Sequence, residues 1–496
     1  MSFEKLDQYT MSQGKSKAVI KKITSKITIS GVPMTIITYK PAMHMPDDYL
    51  YNKFPELQAI LPRGCSFIII PSDDGTNHII RAFGIRKFGG YKPTDDDDVQ
   101  DIILSEKNSK YVDNSIITLD GRSLSDVSSI VYTEKSNGEN MKCGLFTHNS
   151  QIYLWAGSKM TVNIWTSDEP FNACGLTKDN HAEYPGETIC TIWSKFYLQL
   201  SETNRTYLND LFISEQIISF IGEINRPWAE HIIPISHTFV EFFTILDNDG
   251  ISIVPKRAFE IFKQIGLTVK DESDIKEYGF YHVPFTVFDC PCDELNLTVK
   301  NISNEIINTS NHPNVRTEGG VLYLCDKESN IVSLVKVKND WYTFWRRVRE
   351  QCKNKKTTFS SIKQAIRKLN FTDSYETNVE IWCIWAEYFF NHFSSLPEEE
   401  QENILKCTYA SYVSKFVSDN FDNIKIPAKE ELDVMIHNLE QDKIQLRQEL
   451  TQLFAIKKAS TDTLNTETDV KIASFLNCVK NIDNKIKDFR QIMFKS

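Results

Sequence analysis

Tyr132-Thr133-Glu134-Lys135-Ser136-Asn137-Gly138-Glu139-Asn140 is the stretch on which the reading of this chain turns. A β-rich run, Ser129-Ile130-Val131-Tyr132, leads into it, and a second, Lys142-Cys143-Gly144-Leu145-Phe146, follows it. The pattern places Lys135 at the end of a strand, before a tight turn on Asn137-Gly138. Taken alone it also fits a solvated hairpin. The choice between a plain turn and a site depends on the stretches around it.

The bulk properties set the frame. The chain has 496 residues, enough for two or three domains. Its 41% hydrophobic and 25% charged content is that of a globular protein, and 30 Phe with 8 Trp argue against disorder. The net charge of −10 excludes a global attraction to nucleic acid, so such binding would need a local patch. Eleven scattered cysteines contain no C-x-x-C pair of the zinc type, and Cys290-Pro-Cys292 reads as core or loop thiols. No secretory leader and no apolar run of membrane-spanning length is visible. The expectation is a cytoplasmic or nuclear protein with no membrane partner.

Upstream of Lys135, residues 1–25 are polar and basic and read as a flexible arm. Short strands follow at Ile27–Ile29, Met34–Tyr39 and Ser66–Ile70. His78 to Gly90 reads as one basic-aromatic strand, with Arg81, Arg86 and Lys87 either on a solvated face or forming a cationic wall for phosphates. Asp95–Asp98 reads as a solvated acidic loop. Downstream, Gln151–Thr161 is a strand, a Gly-Ser-Lys turn and a return strand. Residues 186–220 turn helical, with Ile192, Phe196, Leu200, Leu208 and Phe212 at helical spacing. Apolar strands are expected at Ile217–Ile224, ending near Glu223, at His231–Ile235, and at Phe239–Leu246. The turn Asp247–Gly250 and a helix over Lys256–Ile265 come next. Glu318-Gly319-Gly320 opens another strand, and Ile331–Lys338 carries Lys336 and Lys338 on one face at period two.

Beyond Asn339 the periodicity becomes helical, which places a domain boundary near 340. Residues 344–368 hold nine Lys or Arg and one acid, Glu350. That patch is either a solvated helix face or a contact for an RNA backbone. Ile381–Phe393 reads as a buried aromatic helix. Leu432, Ile436, Leu439, Lys443, Leu446, Leu450 and Leu453 follow a four-three spacing, repeated by Ile472, Leu476, Val479 and Ile486. This predicts a helical hairpin or coiled coil over 430–493, packed within the chain or forming a homodimer seam. No Walker-type loop is present.

Together the candidates are a lysine before a turn, carboxylates at two strand ends, a K-x-K strand and an upstream basic strand. One reaction uses that set: attack of a lysine amine on the α-phosphate of a nucleotide. The lysine must lose its proton, which nearby cations favour. Negative charge grows at the phosphoryl centre and needs lysines and Mg²⁺ or Mn²⁺ around it. Carboxylates on strand ends can hold the metal or the ribose.

The set resembles the covalent nucleotidyltransferase superfamily of polynucleotide ligases and RNA-capping enzymes. Lys135-Ser136-Asn137-Gly138 is similar to its K-x-[DN]-G motif, and Trp155-Ala156-Gly157-Ser158-Lys159 sits where the next motif falls. Phe220-Ile221-Gly222-Glu223 and Phe242–Leu246 resemble the third motif and its neighbour. Glu318–Leu322 is similar to E-G-[VL]-V, and Leu334–Lys338 to the terminal K-x-K. Arg86-Lys87-Phe88 resembles the upstream segment of the phage RNA ligase and tRNA ligase branch, the nearest within the superfamily. The resemblance covers residues 60–340.

It implies an α+β fold: a mixed β-sheet, ATP-grasp-like nucleotidyltransferase (ligase) domain over 26–340, then an α-helical domain over 341–496. It implies an ATP-dependent RNA ligase that takes AMP on Lys135, with RNA and ATP as partners. Glu134, Asn137 and Gly138 would flank the nucleotide, and Glu223 and Glu318 would organise the metal and ribose. Phe242 or Phe243 would stack on the base. Lys336 and Lys338 would contact the α-phosphate, and Arg81, Arg86 and Lys87 the pyrophosphate. Two departures stand out: Asn140 replaces a frequent Arg, and Gly89-Gly90-Tyr91 replaces K-F-F-N. A DNA ligase or a GTP-dependent capping enzyme uses the same kit, although both carry a β-barrel after the K-x-K strand. A catalytically inactive RNA-binding scaffold is the reading of another class.

Overall fold

The structure, a computed structural model, describes residues 20–41, 60–72, 75–90, 122–159, 161–171, 185–214, 216–290, 294–308, 317–369, 379–420, 429–459 and 471–483, with residues 6, 7, 10, 51, 54, 57 and 486. The fold is mixed α/β, with three sheets followed by helices. The first sheet is antiparallel, in the order β1 (Ile20–Ile29), β2 (Val32–Pro41), β3 (Cys65–Pro71), β4 (Asn77–Ala82). The second runs β12 (Thr268–Val269), β13 (Gly279–His282), β11 (Phe239–Leu246), β10 (Ser219–Asn225), β7 (Glu139–His148), β8 (Gln151–Ser158), β9 (Asn163–Thr166). The third runs β14 (Phe285–Asp289), β6 (Ser129–Glu134), β15 (Gly319–Cys325), β16 (Ile331–Lys338), β5 (Gly89–Gly90).

The two strands around Lys135 do not form a hairpin. β6 lies in the third sheet and β7 in the second, so residues 135–138 are a crossing between sheets. Gly138 is there for proximity, because a Cβ on it would sit 2.4 Å from the Ile224 carbonyl oxygen on β10. This corrects the tight-turn expectation: the glycine lets two backbones touch.

Each sheet is covered where its strands are apolar. On the second, α1 (Pro185–Gln199), α2 (Glu202–Ile213) and α3 (Pro255–Gln264) bury Trp193, Leu208 and Phe262 against Phe220 and Phe242. Pro255 sits in the first turn of α3, and Ala258, Ile261, Phe262 and Ile265 give it one apolar stripe. On the third, α4 (Leu295–Asn308) packs Val299, Ile302 and Ile306 over Leu322, Val335 and Val337. The first sheet contributes Tyr39 and Phe67 to a core shared with Val131 and Tyr323.

Three expectations change. His78–Gly90 is not one strand: β4 ends at Ala82, and Gly89-Gly90 pairs parallel with Val335 and Lys336. Between them Gly84 crosses the Arg63 carbonyl so closely that a Cβ would lie 1.8 Å from its oxygen. His231–Ile235 is not a strand either, because Pro234 lacks an N–H and the Ile235 N–H donates to the Glu230 carboxylate. Strand β1 begins at Ile20, inside the stretch expected to be an arm. Asp95–Asp98, Cys292 and the rest of the arm up to residue 19, apart from residues 6, 7 and 10, lie outside the described residues.

The chain divides into two compact units, Met1–Arg346 with Glu402–Ser414, and Arg347–Gln401 with Lys415–Ser496. Helix α5 (Asp340–Cys352) follows β16 directly. The second unit holds α6 (Phe359–Arg367), α7 (Val379–Ser394) and α8 (Glu398–Asn403, up to Gln401). A π-helical turn, Ile404–Thr408, precedes α9 (Tyr409–Asn420). In the second unit, Phe416 packs on Trp385 and Phe389. Helix α10 (Lys429–Ala459) is joined to a helix over residues 471–483 by a Lys443–Asp483 ion pair. Ile436, Leu450 and Ile472 are buried, but Leu476, expected in that seam, is exposed. Part of the basic segment meets acids: Lys353 pairs with Glu350, and Lys355 with Glu398. No helix among the described residues is long and apolar enough to cross a membrane.

Candidate active site

Lys135 leaves β6 with its backbone N–H still bound to the Gly319 carbonyl of β15, at 2.9 Å. Its side chain is mostly buried, and its Nζ donates to Glu318 Oε2 at 2.9 Å and to the Ser136 carbonyl at 3.1 Å. Glu223 Oε1 lies 3.8 Å away. The other Glu223 oxygen accepts the Gly138 N–H at 2.7 Å, so the carboxylate fixes the crossing it faces. The other Glu318 oxygen lies 3.7 Å from Lys338 Nζ. Lys336 is close enough to act on Lys135 electrostatically.

The glycines after Glu318 make this spacing possible. A Cβ on Gly319 would sit 2.0 Å from the Val337 carbonyl oxygen, and one on Gly320 would meet the Tyr132 ring. Gly319 pairs with Lys338 and Val321 with Lys336, so both lysines hang from one register.

Electrostatics follow from burial and neighbours. Burial pulls the Lys135 ammonium down, but Glu223, Glu318 and the Glu318 hydrogen bond outweigh it and hold it above the ordinary lysine value. Burial pushes Glu318 up, and Lys135, Lys338 and Arg346 reverse that, leaving it below the usual carboxylate value. For Glu223, burial dominates over Lys135 and Glu318 adds to it, so its carboxyl is pushed up to about 7.

A cavity of about 500 Å³ opens beside Lys135. Its polar side is Lys135, Ser136, Asn137, Asn225, Glu241 and Lys270. Its apolar side is Ile232, Ile233, Ile235, Phe239, Trp341 and Val413. Asn137 is buried with neither amide atom hydrogen-bonded to the protein, so it offers one donor group and one acceptor to a guest. Lys270 bridges Glu134 at 3.3 Å and Glu241 at 3.2 Å.

Of the residues picked from the sequence, the structure brings together Lys135, Glu223, Glu318 and Lys338, with Lys336, Asn137, Gly138 and Glu134 around them. The aromatic pair is a correction. Phe242 is fully buried among Trp193, Phe220 and Phe262, on the face of β11 opposite Glu241. Phe243 packs on the cores and does not line the cavity; Phe239 does. The basic strand is placed elsewhere too. Arg81 donates to the Asn248 carbonyl and Oδ1 at 2.7 and 2.8 Å, and Arg86 faces the Asp249 carbonyl. Both therefore brace the β11 turn, and Lys87 is buried beside Gly250 and Leu334. Sequence reasoning missed Lys270, Glu241 and Glu230. A lone carboxylate inside Phe-Val-Glu-Phe-Phe was a usable signal for Glu241; Lys270 had none.

The donor set fits a hard divalent cation. Among the described residues no cluster of three or more His, Cys, Asp or Glu could hold a metal. Two carboxylates suffice for Mg²⁺, which takes its remaining ligands from phosphate and water.

No family model and no curated protein matches the chain. Among solved structures, it is similar to an archaeal ATP-dependent RNA ligase at 12% identity and a TM-score of 0.37, covering 75% of this chain and 76% of that one. It is also similar to Naegleria gruberi RNA ligase variants: one with ATP and Mn (12%, TM-score 0.24) and one apo (14%, 0.26). Each covers 66% of this chain and 97% of that one.

Proposed function

We propose that this chain is an ATP-dependent RNA ligase that works through a covalent lysyl-AMP on Lys135. The observation that carries the reading is one lysine, on a crossing between two sheets, held by the buried Glu318 and the half-buried Glu223 with a third strand's lysines behind them. A structural ion pair needs one carboxylate and no cavity. This lysine has two carboxylates, and a cavity large enough for a nucleotide opens beside it.

Lys135 loses a proton towards the carboxylate side and its amine attacks the α-phosphorus of ATP. A P–N bond forms, the P–O bond to pyrophosphate breaks, and pyrophosphate leaves. Lys336 and Lys338 would offset charge at the phosphoryl oxygens. Glu223 and Glu318 would hold Mg²⁺ or Mn²⁺, which when bound supplies Lewis-acid stabilisation of the phosphates. An RNA 5′-phosphate oxygen then attacks the same phosphorus, a P–O bond forms, the P–N bond breaks, and Lys135 leaves with its proton restored. A 3′-hydroxyl gives up its proton to solvent and attacks the activated 5′-phosphate; the phosphodiester P–O bond forms and the P–O bond to AMP breaks. Residues 26–340 serve as the nucleotidyltransferase domain, completed at the cavity by Trp341 and the segment Glu402–Ser414, and the rest of the helical part serves RNA. Beyond β16 the described residues are helical, which supports this branch over enzymes with a terminal β-barrel.

The test is transfer of label from [α-³²P]ATP to the protein with Mg²⁺, beside Lys135→Ala. Label on the wild type, none on the variant and none with EDTA is the expected result. Label from GTP alone would move the reading to capping, and no label on a protein shown by mass to be free of AMP would defeat it.

A further inference from the structure

The cavity's outer wall comes from two stretches far apart in sequence. The loop after β10 supplies Ile232–Ser236, and the first turns of α9 supply Ala410, Ser411, Val413 and Ser414. Glu230 joins them. It is buried, it does not line the cavity, and its carboxylate accepts three bonds. Oε1 takes the Ile235 N–H at 3.1 Å and the Ser411 hydroxyl at 2.7 Å; Oε2 takes the Ser411 N–H at 2.8 Å.

Two neighbouring features fix the same arrangement. Arg226, at the start of the loop, is buried and ion-paired to Glu139 on β7. Tyr409 donates its hydroxyl to the Trp345 carbonyl at 3.0 Å, tying the start of α9 to α5. The π-helical turn Ile404–Thr408 lies immediately before α9, and such turns re-aim the helix that follows.

We infer that Glu230 is a positioning residue. It fastens the returning segment Glu402–Ser414 to the 232–236 loop and so builds the wall against which the nucleoside rests. The inference rests on the nucleotide reading given above. It also gives the base an apolar surface, Ile232, Ile235, Trp341 and Val413, where Phe242 supplies none. Without the Glu230 carboxylate, Ser411 loses two bonds and the loop loses one, so the wall no longer holds its shape for the guest. The phosphoryl site at Lys135, Glu223 and Glu318 is built from other strands and keeps its geometry.

The experiment measures the rate of label transfer to Lys135 against ATP concentration in the full chain. Glu230→Ala should raise KM about tenfold and change the saturated rate little. Glu230→Gln, which keeps a carbonyl acceptor, should fall between it and the wild type. Ser411→Ala should raise KM only a few-fold. Val413→Trp, which fills the cavity from this wall and leaves Glu230 intact, should also raise KM, and it stands in if Glu230→Ala fails to fold. Wild-type KM in folded Glu230→Ala or in Val413→Trp overturns the inference. Absence of label on wild type shown by mass to be free of AMP overturns the nucleotide reading instead.

Discussion

Lys142, on β7, shows what the same side chain does without a carboxylate beside it. It is fully buried, and its Nζ donates to the carbonyls of Gly64 and Ala82 and to Ser66 Oγ, linking β7 to the first sheet. Burial lowers it from 10.5 to about 7, against a small opposing effect of Cys65. A depressed folded value means the stabilising contribution is complete above 10.5 and is lost as pH falls through 7. Lys142→Met removes three bonds and destabilises the protein, and the loss should shrink as pH drops across that window. Denaturant melts of both proteins at pH 10 and pH 7 check this, and an unchanged gap would contradict it. Lys135, by contrast, is kept charged at rest by Glu223 and Glu318. The motif marked the place of Lys135 in the sequence but not that two carboxylates would hold it charged, where nearby cations were expected to lower it; the fate of Lys142 was not legible, because its acceptors are mainly backbone carbonyls from another sheet.

The crossing formed by residues 135–138 is the element on which the site depends. Gly138→Ala would press a Cβ against the Ile224 carbonyl and, at 3.0 Å, Asn225 Oδ1. The expected outcome is a stability loss of about 1–3 kcal/mol and label transfer reduced roughly a hundredfold or more. A melt and the labelling assay measure both, and full labelling would show that the crossing tolerates displacement. Strands β11 and β16 were legible to their ends because β-branched and aromatic runs stop at turn residues. The crossing was not legible. A strand-turn-strand pattern does not say which sheet the second strand joins, and β7 pairs with β8 and with β10, the latter far downstream. The Phe242 expectation failed for a related reason. Period two sets Phe242 on the face opposite Glu241, but Phe239 and Phe243 make the Glu241 face nearly as apolar, so one carboxylate alone marks the side that meets the cavity.

At the scale of the molecule, the site lies where two sheets meet, and its backbone bonds belong to both. The Lys135 N–H is held by β15 and the Gly138 N–H by Glu223 on β10. Their amides should exchange with solvent only when the first unit opens as a whole, at the same free energy as the amides of β7 and β15. Native-state hydrogen exchange reads this directly, and faster exchange at Lys135 or Gly138 would reveal a crossing that opens alone. The helical character beyond residue 340 was legible from periodicity, but the return of Glu402–Ser414 to the first unit was not, because no local signal marks a segment that packs on distant residues.

The bond between Lys135 and Glu318 spans 183 residues of chain. A ribosome adding 5–20 residues per second needs roughly 10–40 s to pass from one to the other. During that interval the lysine lacks Glu318 and the lysines of β16. On the proposed reading an unfinished chain holds the nucleophile without the groups that serve it, and a fragment released early would take no label from ATP.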